Sequence, residues 1–410
     1  MERATCCSWL TVVVLLAACG GTIAASDDST ASRTSDAGPS DGATTDSGTT
    51  DSGTTDSGTT GSGTTDSGTT DSGSLRCGAW VDQTHGTAAA EQLYASVTSD
   101  ASGEHLVATS GLTIPSSYTE GVWVSTNGGV TWNVQTADPA ADVDMASLAS
   151  SSDGSVIVGC GEATGGLCTS TNGGVTWVCS SSTSRLDGWV GVASSSAGTA
   201  LVAVNAFGDI WTSSNSGATW IDRIASGSCP CQQGIAVASD ASGANLVELG
   251  GIHLGGGGPA FNGDIWTSND SGVTWTDRTP SGPAHDVPWA AVASNATGDK
   301  LIAVGSGVWL STDSGATWTD RTPSGVNPSG SWRAVASDAT GTHLVVASGF
   351  PSWTGDLWTS TDSGVTWTNE TAGTCAANQA WSGVASDATG SHLVAVASGG
   401  DIWTRVSQAQ

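Results

Sequence analysis

The chemistry-bearing side chains of this 410-residue chain gather in a few glycine-rich stretches. Asp138, Asp142, Asp144, Asp187 and Asp286 are carboxylates set outside any regular pattern. Two such groups flanking a glycosidic bond could hydrolyse it, one as acid and one as base or nucleophile. Tyr118 and Glu120 share the stretch from Ser110 to Gly121, His253 and Phe261 the stretch from Gly250 to Gly263, and Phe350 and Trp353 that from Ser348 to Gly355, while His285 adjoins Asp286. Aromatic and imidazole groups on extended loops suit a ligand surface, and they equally suit packing of the loops that carry them. Cys160, Cys168 and Cys179 fall within one short region but lack a fourth ligand or a nearby His, so no metal site is assigned. No catalytic residue and no cofactor is assigned either.

These residues must be positioned by a repeat. An eight-residue phrase, Ser-x-Asp/Asn-x-Gly-x-Thr-Trp, occurs six times, at 125–132, 170–177, 213–220, 268–275, 311–318 and 360–367, with 43 to 55 residues between starts. A period of that size means supersecondary units that each bury an apolar face on a neighbour. Locally the phrase is a hairpin turn: Asp or Asn accepts backbone hydrogen bonds, Gly takes a positive φ, and the Trp folds back onto the sheet. Asn127, Asn172 and Asn215 keep these bonds without the charge. Upstream of each phrase runs a strand, a turn and a second strand, beginning at Val97, Leu148, Val192, Val237, Val292 and Val335, and once more at Val384. The last unit stops after Gly400-Asp401-Ile402-Trp403-Thr404, and its missing strand resembles Trp80-Val81-Asp82-Gln83-Thr84 at the other end. The expectation is an all-β fold: a seven-bladed β-propeller of four-stranded blades, closed by an N-terminal strand that completes the last blade.

The phrase resembles the Asp-box, or BNR repeat, of sialidases and other propellers. Propellers with a Trp at the start of the innermost strand, similar to this one, occur among xyloglucan hydrolases and photosystem assembly factors. The resemblance covers about residues 77 to 410 and bears on fold more than on activity. In sialidases it implies three arginines around a carboxylate and a Tyr nucleophile activated by Glu. Here Arg223, Arg278 and Arg321 share one repeat position on outer strands, which makes them scaffold, and only Arg185 and Arg333 lie near the variable loops. The xyloglucan enzymes pair two propellers around a cleft, whereas this chain has one.

Trp189, Trp289, Trp332 and Trp381 start the innermost strands, with Tyr94 in the same slot. Two readings stand for them: wedges between blades, or a platform at the channel mouth on which sugar rings stack. The loops joining strands two and three and those passing to the next blade are expected to share a face opposite the boxes, and ligand binding is expected there.

The N-terminus carries an apolar run followed by Leu16-Ala17-Ala18-Cys19, which resembles the lipobox of bacterial lipoproteins. By that resemblance residues 1–18 are a signal peptide and Cys19 is the lipidated first residue, with outer membrane or cell surface favoured. Residues 19–76 then form a tether, whose stretch from Ser26 to Ser74 is mostly Thr, Ser, Asp and Gly, including six pentads between Thr44 and Gly73, with no large apolar side chain to bury. Residues 77–410 form the propeller. Of the 10 Cys, seven fall in it and read as disulfide material in an exported protein. Cys168 and Cys179 flank their box and could bridge, and Cys229 or Cys231 could pair with Cys375.

A net charge of −28 with a single lysine, Lys300, excludes nucleic acid and anionic lipid as principal partners. The expected function is a monomeric, envelope-anchored, non-catalytic binding module for a surface glycan or protein, meeting the membrane through its lipid alone. A glycoside hydrolase and an assembly factor for an envelope complex are the alternatives.

Overall fold

Alternating β-branched and small polar residues, broken every few positions by Gly, direct this chain into short antiparallel strands. The computed structural model describes residues 74–110, 121–135, 145–161, 166–180, 188–223, 233–252, 262–324, 332–349 and 354–406, and these contain strands and turns but no α-helix. Two strands open the series, β1 (Leu75–Cys77) and β2 (Trp80–Asp82). Sets of four follow. The first is β3 (Gln92–Ser99), β4 (Leu106–Ser110), β5 (Gly121–Ser125) and β6 (Asn133–Gln135). The second is β7 (Ser147–Ser150), β8 (Ile157–Cys160), β9 (Leu167–Ser170) and β10 (Val178–Cys179). Next come β11 (Trp189–Ser194), β12 (Leu201–Asn205), β13 (Ile210–Ser213) and β14 (Ile221–Asp222). The fourth set is β15 (Gln233–Ser239), β16 (Leu246–Ile252), β17 (Asn262–Ser268) and β18 (Thr276–Asp277). The fifth is β19 (Val287–Ser294), β20 (Leu301–Gly305), β21 (Val308–Ser311) and β22 (Thr319–Asp320). The sixth is β23 (Trp332–Ser337), β24 (Leu344–Ser348), β25 (Leu357–Ser360) and β26 (Thr368–Asn369). The chain ends with β27 (Trp381–Ser386), β28 (His392–Gly400) and β29 (Ile402–Val406).

Within each set, strands pair antiparallel in sequence order. The last three strands gain their fourth from the other end of the chain, because β2 pairs with β29 through Val81 opposite Thr404 and Asp82 opposite Trp403. β1 then pairs outside β2, an addition the repeat pattern does not announce. Second strands such as β4, β12 and β20 are buried along their whole length, so both of their faces carry Val, Leu, Ile and Ala against neighbouring sheets. The outermost strands are two or three residues long and mostly exposed.

The six phrases form the expected turns. In the Asp313 copy, Ser311 Oγ accepts from Gly315 N–H at 2.9 Å, and Asp313 accepts from Thr317 N–H at 2.8 Å and from Thr317 Oγ1 at 2.6 Å. Asn127 keeps the backbone bond at 2.9 Å and donates its amide to Thr131 Oγ1 instead. The Gly is left-handed in every copy, and so is the residue before it, whether Gly128 or Ser314. The hairpin between strands one and two abuts the box of the same set: Gly128 N–H donates to Glu104 O and Ser314 N–H to Asp299 O. One face of the fold therefore carries both kinds of hairpin.

On that face the sheets are linked by a circuit of backbone hydrogen bonds. Ala101 N–H donates to Ser152 O, Ser152 to Ser196, Ser196 to Ala241, Ala241 to Ala296, Ala296 to Ala339, Ala339 to Ala388, and Ala388 back to Ala101, all at 2.8 to 3.0 Å. Only small side chains stand at these positions, which leaves a polar opening lined by Ser99, Ser150, Ser194, Ser239, Ser294, Ser337 and Ser386 among others.

Candidate functional site

The opposite face is built from the hairpins between strands two and three and the connections to the next set. Their proximity is direct: Gly263 in β17 pairs with Val287 in β19, Ser398 in β28 with Leu93 in β3, and Gly355 bridges Gln379.

On this loop face a carboxylate, buried at Asp264 and half-buried at Asp356 and Asp401, organises each of three connections. Asp356, just ahead of β25, accepts from Thr371 Oγ1 at 3.1 Å and Asn378 N–H at 3.3 Å, and Leu357 N–H donates back to Thr371 Oγ1 at 3.0 Å. Asp401 does the same with Thr84 Oγ1 at 2.9 Å and Glu91 N–H at 3.2 Å, while Ile402 N–H meets Thr84 Oγ1 at 3.0 Å. Asp264 repeats the pattern with Thr279 Oγ1 and Asp286 N–H, both at 3.3 Å, and Ile265 N–H meets Thr279 Oγ1 at 2.8 Å. Glu91, Asp286 and Asn378 are all left-handed, with φ of 55°, 59° and 57°. That conformation is unusual for such residues and holds because the clasp over-determines it. No single loop announces its clasp in the sequence. The clasps' signal was an internal match, Thr84-His-Gly-Thr-Ala-Ala-Ala-Glu-Gln92 against Thr371-Ala-Gly-Thr-Cys-Ala-Ala-Asn-Gln379.

His285 is on this face, its side chain 43% exposed, with Nδ1 at 2.7 Å from Asp264 Oδ1. The hydrogen bond and the charge of Asp264 raise its affinity for a proton above the ordinary imidazole value.

The innermost-strand aromatics are in a different environment. Trp189, Trp332 and Trp381 are 1% exposed, Trp289 6% and Tyr94 1%. A bulge immediately after each, as between Trp289 and Ala291, re-aims the ring into the sheet. Trp289 Nε1 donates to Gly263 O at 2.9 Å and Trp381 Nε1 to Gly355 O at 3.0 Å, so each indole ties its strand to the preceding set. Each ring also meets the third-strand Trp of its own sheet at near right angles: Trp189 with Trp211, Trp289 with Trp309, Trp332 with Trp358 and Trp381 with Trp403, at centroid distances of 6.1 to 6.5 Å. Such edge-to-face pairs add packing energy beyond burial. At 1 to 6% exposure these rings leave little open face for a sugar to stack on.

Tyr118, His253, Phe261, Phe350 and Trp353 lie outside the described residues, as do Asp138, Asp142, Asp144, Asp187, Arg185 and Cys19. Arg223 and Arg278 each donate Nε to a Thr Oγ1 of the adjoining strand at 2.6 Å, which is a scaffold role. The Cys168–Cys179 bridge forms across β9 and β10. Cys375, in contrast, bonds to Cys77 and not to Cys229 or Cys231. The reason is β1, which brings Cys77 alongside the connection that holds Cys375. Among the described residues no group of three potential metal ligands comes together, and no helix is long and apolar enough to cross a membrane.

No family model matches the chain, and no curated protein matches it. Among solved structures, the GH74 xyloglucanase from Xanthomonas campestris is similar at 15% identity over 80% of this chain and 54% of that one, with a TM-score of 0.59. The chain thus spans about half the length of that enzyme. YCF48 from Cyanidioschyzon merolae is similar at 15% identity over 80% of this chain and 98% of that one, TM-score 0.56. A structure of YCF48 bound to D1 peptide gives 13% identity, coverage of 78% and 95%, and a TM-score of 0.55. At such identities the likeness is one of fold, that of a β-propeller.

Proposed function

We propose that the sheets are the seven blades of one closed propeller, and that it serves as a non-catalytic binding module for a glycan or a protein through its loop face. In this reading Cys19 is lipidated, residues 19–76 tether the propeller to the bacterial envelope, and the outer membrane or cell surface is its place. The N-terminal strand and the returning hydrogen-bond circuit support closure.

One observation carries binding over hydrolysis: on the described part of the loop face, Asp264, Asp356 and Asp401 are spent on clasping their own loops, and the exposed Asp286 joins the Asp264 clasp through its backbone. A glycosidase needs two carboxylates free to face its substrate. The fold's occurrence in a xyloglucanase and in a protein bound to a peptide supports glycan and peptide as the ligand classes to try.

Glycan and peptide arrays probed with the protein test this, with the glycan spots then weighed by mass spectrometry. Binding with intact glycans is the expected result, and binding confined to peptides makes the ligand a protein. Shortened glycans would overturn the reading in favour of the hydrolase alternative, with Asp286 and the carboxylates at 138, 142, 144 and 187 as its candidates. Silence on both arrays would also overturn it.

A further inference from the structure

The three clasps differ in charge, and the difference is systematic. Each has a second member two residues before the Thr, whose side chain caps that Thr: Asp277 accepts from Thr279 N–H at 2.9 Å, Asp82 from Thr84 N–H at 3.0 Å, and Asn369 from Thr371 N–H at 3.1 Å. Strand register places this residue on the same face as the first carboxylate, Asp277 opposite Trp266, Asp82 opposite Trp403 and Asn369 opposite Trp358. Where it is Asn369, its amide donates to Asp356 Oδ2 at 2.9 Å, so one carboxylate meets one amide. In the other two clasps both members are carboxylates bonded to the same Thr.

A histidine accompanies only those two. His285 sits on Asp264 at 2.7 Å, and His85 Nδ1 lies 3.7 Å from Asp82 Oδ2. The two histidines come from different loop positions. The residues matching them in the amide clasp are Ala377 and Ala372. A fourth version, at Thr322, has Asp320 but Gly307 where the first carboxylate would stand, and the following connection, through residue 331, contains no His. Backbone geometry does not require the imidazole, since the Asp356 clasp holds the same left-handed loop without one. The imidazole goes with the second carboxylate.

We propose that the connections at 84–92 and 279–287 are proton-dependent latches on the loop face, each closed by one proton shared between two carboxylates and a histidine, whereas the connection at 371–379 is not. This regulation concerns the face assigned to ligand binding, but it stands or falls independently of which ligand that face takes. The charged and titratable groups facing the first latch are Asp264, Asp277, Asp286 and His285, with Glu248 on the same sheet face through its register with Trp266. Those facing the second are Asp82, Asp401 and His85, with the Tyr94 hydroxyl engaged on Ala89 O at 2.6 Å.

Both latches respond to pH with the same sign. Burial, and then the charge of Asp401, push the Asp82 carboxyl up to about 6, above its ordinary 3.8. A carboxyl raised in the folded state weakens that state as pH climbs from its ordinary value through the raised one. Asp264 raises His285, so the stabilisation it gives is complete below the ordinary imidazole value and is lost as pH rises through the elevated one. The latches therefore hold in acid and loosen toward neutral and alkaline pH.

Hydrogen exchange of the full-length protein in detergent at pH 4 and pH 8, corrected for intrinsic exchange, tests this. Protection at 84–92 and 279–287 is expected to fall by about tenfold for each unit by which the latch groups are displaced. Because Cys375 also anchors 371–379, the deciding comparison is Asp against Asn within one loop. Asp277→Asn should abolish the fall at 279–287 and leave it at 84–92, and Asp82→Asn should do the reverse. A fall that persists in its own loop in both variants, or wild-type protection indifferent to pH, would overturn the proposal. If Asp82→Asn does not fold, Asp277→Asn decides, with 84–92 as its internal control.

Discussion

The amide of Ala388 donates to the carbonyl of Ala101 at 3.0 Å, which returns a hydrogen-bond circuit to the residue where it began. At the outer edge, Val81 opposite Thr404 joins the two ends of the chain a second time. Contacts of such long sequence separation form only after most of the loop entropy has been lost, so they are where the fold's cooperativity is concentrated.

Trp80 is wholly buried in the three-residue strand β2, its ring 6.5 Å from that of Trp381. Trp80→Ala is expected to cost about 3 to 5 kcal/mol, the range for a large aromatic removed from a core. Denaturant unfolding measures it. A loss below about 1 kcal/mol would mean that β2 is not integral to the last sheet.

The two disulfides should differ in worth. Cys77–Cys375 closes a separation of 298 residues and Cys168–Cys179 one of 11. Loop entropy in the unfolded chain gives roughly 3 kcal/mol for the short bridge and up to about 5 for the long one. Calorimetry on Cys77→Ser and Cys168→Ser variants should show the larger drop in Tm for the former, and the opposite order would show that β1 is not held as described.

Glu248 is an anomaly in the core. It shares a sheet face with Val237 and Trp266, at the position held by Ala108, Ala203, Ala303 and Ala395 in other sheets, and burial pushes its carboxyl up to about 8. Stability should therefore decline as pH rises from about 4.5 through 8, by a few kcal/mol in order of magnitude. Glu248→Ala should raise Tm at pH 8 and leave it nearly unchanged at pH 4.5. Equal effects at both pH values would assign the change to packing alone.

Cys19→Ser should release the protein from membranes to the soluble fraction, since several buried acyl chains are what make such anchoring durable. A variant that still fractionates with membrane would remove the lipid anchor from the account.

Much of the architecture was legible because it is written repeatedly: a turn that needs Gly and Asx at fixed spacing advertises itself six times. The tryptophans show what repetition leaves open. Their position at the start of an inner strand was clear, but a bulge one residue later, invisible in composition, decides which way Trp289 points. The partner of Cys375 was missed because β1 follows directly on the Thr/Ser/Asp/Gly segment and is three residues long. The clasps were missed because their chemistry is spread over Asp264, Asp277, Thr279 and His285, which only sheet register brings together.

The central claim is that ligand meets the loop face while the box face is scaffold. Hydrogen exchange of the full-length protein with and without the strongest ligand from the arrays tests it most directly. The account predicts slowed exchange at 84–92, 279–287 or 371–379 and no change in the boxes at 268–275, 311–318 and 360–367. Protection confined to the boxes would contradict it.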